Sequence, residues 1–136
     1  MTRDGRTPDQ WQQLVATAIK SLSRTARLKR LSSYTDLNRD IAAQTGQPGF
    51  DFTSPEGRNA MGNLLADVVQ ETYPDRGVML SALVPYVDAN RPGGGFYHLA
   101  TAMGLLDKEA SAENKEEFWY SQVKKVYEAY ARKTRR

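Results

Sequence analysis

The side chains that could carry chemistry are few and scattered. His98 is the one histidine of the chain. It could act as a general base if Asp88 or a nearby tyrosine oriented it, because imidazole ionises near neutral pH. It reads equally as a partly buried helix residue, and no paired nucleophile stands at a defined spacing from it. The chain has no cysteine. That excludes a thiolate nucleophile, a disulfide framework and cysteine-based zinc or iron–sulfur sites. One histidine among dispersed carboxylates does not make a metal site. The chain therefore reads as a non-enzyme that needs no cofactor.

Residue types suited to binding are better represented. Lys20, Arg24, Arg27, Lys29 and Arg30 gather at the end of the first predicted helix with no acid among them. Such a cluster can neutralise phosphates. Cations at a helix C-terminus are also favoured by the dipole without any ligand. Arg58 and Asn59 lie near the start of a third predicted helix, where they could read or wedge bases. Glu56, Asp67 and Glu71 share that helix, so only its N-terminal end could approach phosphate. A carboxylate partner for Arg58 is the competing expectation. In the stretch 90–98, Arg91 precedes Gly93, Gly94 and Gly95, then Phe96, Tyr97 and His98. Glycines ahead of a helix can offer backbone N–H groups to an anion, or simply make a tight turn or a wing tip. The run matches neither the P-loop nor the dinucleotide fingerprint.

Net charge is +3, but it is polarised. Residues 1–30 hold seven basic and two acidic residues; residues 31–123 hold six and thirteen; residues 124–136 hold six and one. Basic ends around an acidic middle suit an anionic partner, a protein partner or a second copy.

The elements that must position these groups follow from periodicity and punctuation. The 136 residues fit a single domain spanning 1–136, with a basic helix at each end. Thr7-Pro8 opens a helix along Trp11, Leu14, Val15, Ala18, Ile19 and Leu22 to about Leu28. Residues 31–34 read as a linker or brief strand. Ser33 or Thr35 caps a second helix that Gly46 ends. Phe50 and Phe52 staple the next loop to the core. Ser54-Pro55-Glu56 starts the third helix, which the turn 73–77 ends. The nearly continuous apolar run 78–84 predicts a strand buried on both faces. Residues 96–106 read as a short helix, and Asn114 caps the last one, with Phe118, Trp119, Val123, Val126, Tyr127 and Tyr130 as its stripe. Tyr120 falls off that face and could serve a dimer contact or base stacking. The tail after residue 131 reads as frayed. The outline is mainly α with a small β element, as in a winged helix. No apolar run is long enough to span a bilayer, and the polar N-terminus has no signal-like segment, so a cytoplasmic setting without a membrane partner is expected.

Tyr34-Thr35-Asp36-Leu37, then Ile41-Ala42, then Arg58-Asn59-Ala60-Met61-Gly62 resemble, in order, the DNA-binding domain of alkylguanine alkyltransferases and alkyltransferase-like proteins. The resemblance covers residues 30–100 at most. It implies a winged-helix fold, with Tyr34 as the family tyrosine and Arg58 as the nucleotide-flipping arginine. The active-site segment would fall at 80–84. Ser81 stands where the acceptor cysteine would be, with no histidine or arginine beside it, so alkyl transfer is excluded on this mapping. The segments 80–84 and 91–96 also look like small bacterial domain proteins of no assigned activity.

Two functions follow as expectations. One is a non-enzymatic nucleic-acid-binding domain, DNA foremost, contacted by Lys20, Arg24, Arg27, Arg30, Tyr34, Arg58, Asn59 and Arg91. The other is a protein-interaction module, an adaptor or an inhibitor of its partner. A hydrolase or nuclease built on His98 and Asp88 ranks last.

Overall fold

Helix starts are fixed by short polar side chains that hold the first free amides. The computed structural model describes residues 4–86 and 90–131. Their order is α1 (Pro8–Arg27), α2 (Tyr34–Thr45), α3 (Pro55–Arg76), a 3-10 helix (Leu80–Leu83), α4 (Gly94–Ala102) and α5 (Ala112–Ala129). Thr7 and Gln10 close a reciprocal capping box on α1, with Pro8 in its first turn. Ser33, not Thr35, caps α2 by accepting from the Asp36 amide at 3.0 Å. Ser54 caps α3. Ser111 caps α5, and the expected cap Asn114 instead donates its backbone N–H to that serine at 3.1 Å. Gly46 and Gly77 end α2 and α3 at φ of 75° and 69°, where only glycine is unstrained.

The expected strand at 78–84 is absent. Its burial is as expected, because residues 78–84 are all buried. Its shape differs, because a strand needs a neighbour to pair with and none is present among the described residues. Side chains satisfy its backbone instead. Gln122 Oε1 accepts from Met79 N at 3.0 Å, and Trp119 Nε1 donates to the Ala82 carbonyl at 2.8 Å. An unpaired buried amide or carbonyl costs about 1–3 kcal/mol, so these two α5 residues stabilise the segment that a sheet would have paired. Residues 31–34 form no strand either. Ser32 N and Tyr34 N donate to the carbonyls of Leu83 and Pro85 at 2.7 and 3.3 Å, which ties the entry of α2 to the 3-10 helix. Among the described residues there is no strand and so no β wing, and they are mainly helical.

Two other expectations shift. α3 runs on through Pro74, which sits in its exposed last turn just before the Gly77 cap. α4 begins on its glycines at Gly94, before Phe96, and ends at Ala102, before Gly104 turns the chain at φ 77°. Asp88 and the tail after residue 131 lie outside the described residues.

The core is built around the 3-10 helix. Leu80 and Leu83 pack with Leu14, Val15, Leu22, Leu37 and Leu64, while Met79 and Ala82 pack with Val69, Phe96, Ala100 and Trp119. Each such aliphatic side chain contributes about 1.5–3 kcal/mol when fully buried. Phe50 and Phe52 do hold their loop to the core. Asn38 reinforces it by donating to the Phe50 carbonyl at 2.9 Å and accepting from its amide at 2.8 Å. No helix among the described residues is long and apolar enough to cross a membrane.

Candidate functional site

Helical spacing brings several candidate residues to one groove. On α3, Arg58, Asn59, Gly62, Asn63 and Ala66 fall on one face, one or two turns apart. On α4, Gly94, Gly95, His98, Leu99 and Ala102 do the same. The two faces flank an open groove of about 660 Å³, which Tyr34 and Tyr86 also line. The Tyr34 ring packs edge-on to Tyr86 at 5.1 Å and against Phe52 at 5.4 Å. Burial, and then the neighbouring Tyr86, push the Tyr34 phenol up to about 12, so it stays protonated across the physiological range.

Arg58 is held at the groove by its own loop. Its Nη1 donates to the Phe52 carbonyl at 2.6 Å. The expected carboxylate partner is replaced by this carbonyl, which leaves the guanidinium charge uncancelled. Among the described residues no carboxylate lines the groove, although the segment around it is the acidic part of the chain. The N-terminal end of α4 adds the positive pole of a helix dipole, and no side chain caps it.

Behind the groove lies a smaller cavity of about 30 Å³, reached past Tyr34, Gly62, Gly93 and Gly95. Phe96, Leu65 and Val84 make its apolar wall, and Ser81 lines it as well.

The glycines fall into two kinds. A Cβ on Gly57 would meet the Asp51 carbonyl oxygen at 1.8 Å, and one on Gly93 would meet the Tyr86 ring at 2.6 Å. Packing demands glycine at both. Gly62, Gly94 and Gly95 are different: a Cβ on Gly62 would sit 3.8 Å from Tyr34 Oη, and on Gly94 or Gly95 would meet nothing within 4 Å. None of these three has a positive φ. Neither packing nor backbone conformation requires them, and all three line the groove.

The remaining candidates lie elsewhere. Arg24 and Arg30 line a separate polar cleft of about 430 Å³ between the end of α1 and α2, together with Arg39, Asp36 and Asp40. Its acids are engaged: Asp36 accepts from Arg39 at 2.5 Å, and Asp40 from Ser21 at 2.5 Å and Gln44 at 3.0 Å. Lys20 and Arg27 are exposed on α1 and line neither cavity. Arg91 is exposed beside the groove; its charge opposes the rise that burial causes in the Tyr97 phenol. The structure thus gathers Tyr34, Arg58 and Asn59, splits off Arg24 and Arg30, and leaves Lys20, Arg27 and Arg91 apart. Sequence reasoning missed Gly62 and Asn63. The signal was there, since Gly62 is a glycine in mid-helix and Asn63 lies one turn beyond Asn59. His98 lines the groove, and Asp88, its expected partner, lies outside the described residues. Among the described residues no cluster of three His, Asp or Glu side chains could hold a metal. Comparison with protein-family models, curated proteins and solved structures finds no match to this chain, so any functional reading rests on the groove itself.

Proposed function

We propose that the chain is a non-enzymatic nucleic-acid-binding domain of the cytoplasm, with DNA as its ligand and the α3/α4 groove as the centre of contact. One observation carries the reading: Tyr34, Arg58 and Asn59 converge on a groove that has a guanidinium bonded to a backbone carbonyl, a helix N-terminus and, among the described residues, no carboxylate. The same positions carry the resemblance to alkyltransferase-like DNA-binding domains, with Ser81 beneath them. Arg58 and Asn59 contact the strand, and the turn that holds Arg91 and Gly93–Gly95 takes the part a β wing would play. Lys20, Arg24, Arg27 and Arg30 supply phosphate contacts outside the groove. Fluorescence polarisation with single- and double-stranded DNA and with RNA, across a salt series, tests this. Binding should weaken steeply with salt, and no binding to any of them at low salt removes the proposal.

A second reading has its own observation. Leu28 and Leu31 are 53% and 46% exposed at the basic exit of α1. Exposed apolar anchors beside the basic residues Arg27, Lys29 and Arg30 also suit a protein partner. Light scattering, with a pull-down compared between wild type and a Leu28→Ser, Leu31→Ser variant, separates the two. Nucleic-acid binding should survive that double substitution, whereas a protein partner should be lost.

A further inference from the structure

Among the described residues three large hydrophobic side chains are exposed: Leu28 at 53%, Leu31 at 46% and Tyr120 at 56%. They fall in two places. Leu28 and Leu31 flank the exit of α1, and Tyr120 stands on α5. The charges beside each place have opposite signs.

At the α1 exit, Arg24, Arg27, Lys29 and Arg30 are all exposed alongside the two leucines. Among the described residues neither Arg24 nor Arg30 holds an ion pair. Their cleft also contains Asp36 and Asp40, but Arg39 pairs with the first, and Ser21 and Gln44 donate to the second. The turn itself is strained. Lys29 sits at φ 55°, in the left-handed conformation that α2 and α3 give to Gly46 and Gly77. The Arg30 amide closes the turn by donating to the Thr25 carbonyl at 3.1 Å. Glycine adopts this conformation without penalty, and lysine does not. The helix dipole accounts for cations in the last turn. It accounts for neither the exposed leucines nor a lysine at this φ.

On α5, Glu113, Glu116, Glu117 and Tyr120 are exposed and follow the i, i+3, i+4, i+7 spacing of one helix face. The Tyr120 hydroxyl donates to Glu116 Oε2 at 3.4 Å, within that face. Lys124 ends the acidic run one turn later, and Lys115 lies over the Tyr97 ring at 5.8 Å. The dipole favours Glu113 in the first turn of α5. It does not call for an exposed tyrosine farther along.

We propose that the α1 exit of one copy receives the α5 face of a second copy, with Leu28 and Leu31 against Tyr120 and the cations of the exit against Glu113, Glu116 and Glu117. Each surface supplies what the other lacks, an apolar anchor beside charge of the opposite sign. The two surfaces differ, so the contact is heterologous. A phosphate backbone would match the arginines but would leave the leucines without a counterpart. The inference rests on the second reading above, that this exit binds protein, and it names the partner.

Sedimentation velocity of the full chain, freed of nucleic acid, over a concentration series tests it. The weight-average mass should rise above that of one chain, and the rise should shrink with added salt. Leu28→Ser with Leu31→Ser, and separately Tyr120→Ser, should each weaken association by at least about tenfold. All three side chains are exposed, so neither variant should lose thermal stability. Mixing the two variants should give a one-to-one complex, because each keeps the surface that the other has lost. Arg24→Glu with Arg30→Glu should abolish association, and adding Glu116→Arg with Glu117→Arg to the same chain should bring it back. Lys29→Gly should raise the thermal midpoint and also weaken association. The proposal is overturned if wild type stays monomeric at every concentration, or if Tyr120→Ser associates as wild type does. A monomer that still captures another protein through Leu28 and Leu31 keeps the second reading and excludes a second copy as the occupant. A monomer that captures nothing removes both.

Discussion

The two surfaces that gather candidate binding residues invert what their sequences suggest. The α1/α2 cleft draws on the most basic part of the chain, yet Asp36 and Asp40 line it beside Arg24, Arg30 and Arg39. The α3/α4 groove belongs to the acidic middle, yet among the described residues no carboxylate lines it. Charge summed along a segment says little about charge at a surface, because a helix spreads consecutive residues around its axis. Glu56, Asp67 and Glu71 are on α3 with Arg58 but line no part of the groove. Asp67 instead accepts from the Trp11 indole at 2.8 Å, and Glu71 from Gln12 at 2.9 Å, both across to α1. Asp67 and Glu71 thus face α1, which leaves the opposite face of α3 to Arg58 and Asn59.

The sharpest way to break this contrast is at Gly57, because it fixes the start of α3 and thus Arg58. Its missing Cβ would lie 1.8 Å from the Asp51 carbonyl oxygen, a backbone atom with little freedom to yield. Gly57→Ala should destabilise by more than about 3 kcal/mol in urea denaturation. Gly94→Ala, with open space around it, should stay within about 0.5 kcal/mol. Equal stabilities would mean that the loop at residue 51 does not anchor the groove.

Next in size is the alkaline limb, which only the groove should show, since no aromatic residue lines the cleft. Burial first, and Tyr86 second, raise the Tyr34 phenol from 10.0 to about 12. The folded state then holds this proton more tightly than the unfolded state. Its contribution is complete below pH 10 and is lost as pH rises from 10 towards 12. A rise of that size corresponds to an effect of about 3 kcal/mol at most, before solvent screening. Tyr34→Phe should flatten that part of the stability–pH curve relative to wild type, with Tyr97, Tyr127 and Tyr130 unchanged as internal controls. An identical slope in both proteins would remove Tyr34 from the account.

How much of this was legible in the sequence depends on the range of the physics involved. Helix starts and stops are local, and Thr7-Pro8, Ser54-Pro55-Glu56, Gly46 and Gly77 announced them. The burial of 78–84 was legible from its composition. Its conformation was not, because strand or 3-10 helix depends on whether a partner strand or the Gln122 and Trp119 side chains satisfy its backbone, and both side chains come about 40 residues later. The cap of α5 was misplaced by three residues, because Ser111 and Asn114 are both good caps and only the fold chooses. In the site, Arg58 and Tyr34 stood out by type. Gly62 and Ser81 could be noticed in the sequence, one as a mid-helix glycine and the other at the position of the acceptor cysteine, but that the glycine has no packing role and the serine no partner is visible only once their surroundings exist.

A smaller effect separates the two surfaces as ligand sites. Arg58→Ala should weaken DNA binding by about tenfold, roughly 1.4 kcal/mol. Arg24→Ala should weaken it less and mainly lower the salt dependence, by about one unit of slope. Converting Asp36 and Asp40 together to asparagine should make the cleft resemble the groove, and should raise non-specific affinity and the slope by a similar amount. If Arg24→Ala costs more than Arg58→Ala in polarisation titrations, the cleft and not the groove is the principal contact.

The smallest expected change in stability tests whether the groove is kept open at the expense of the fold. Glycine in mid-helix is less stable than alanine by roughly 0.5–1 kcal/mol, because it loses more backbone entropy on folding. At Gly62 a methyl would find ordinary van der Waals room, with Tyr34 Oη at 3.8 Å. Gly62→Ala should therefore be more stable than wild type by up to about 1 kcal/mol in urea. The same methyl narrows the passage between the groove and the Ser81 cavity, so anything that binds there should bind less well. No comparable trade should appear in the cleft, which no glycine lines. A gain in stability with unchanged binding would show that the opening beside Tyr34 has no ligand to admit. A loss of stability would show that α3 and Tyr34 pack more tightly than the 3.8 Å separation allows for, and the distinction between packing glycines and open glycines would fail at this position.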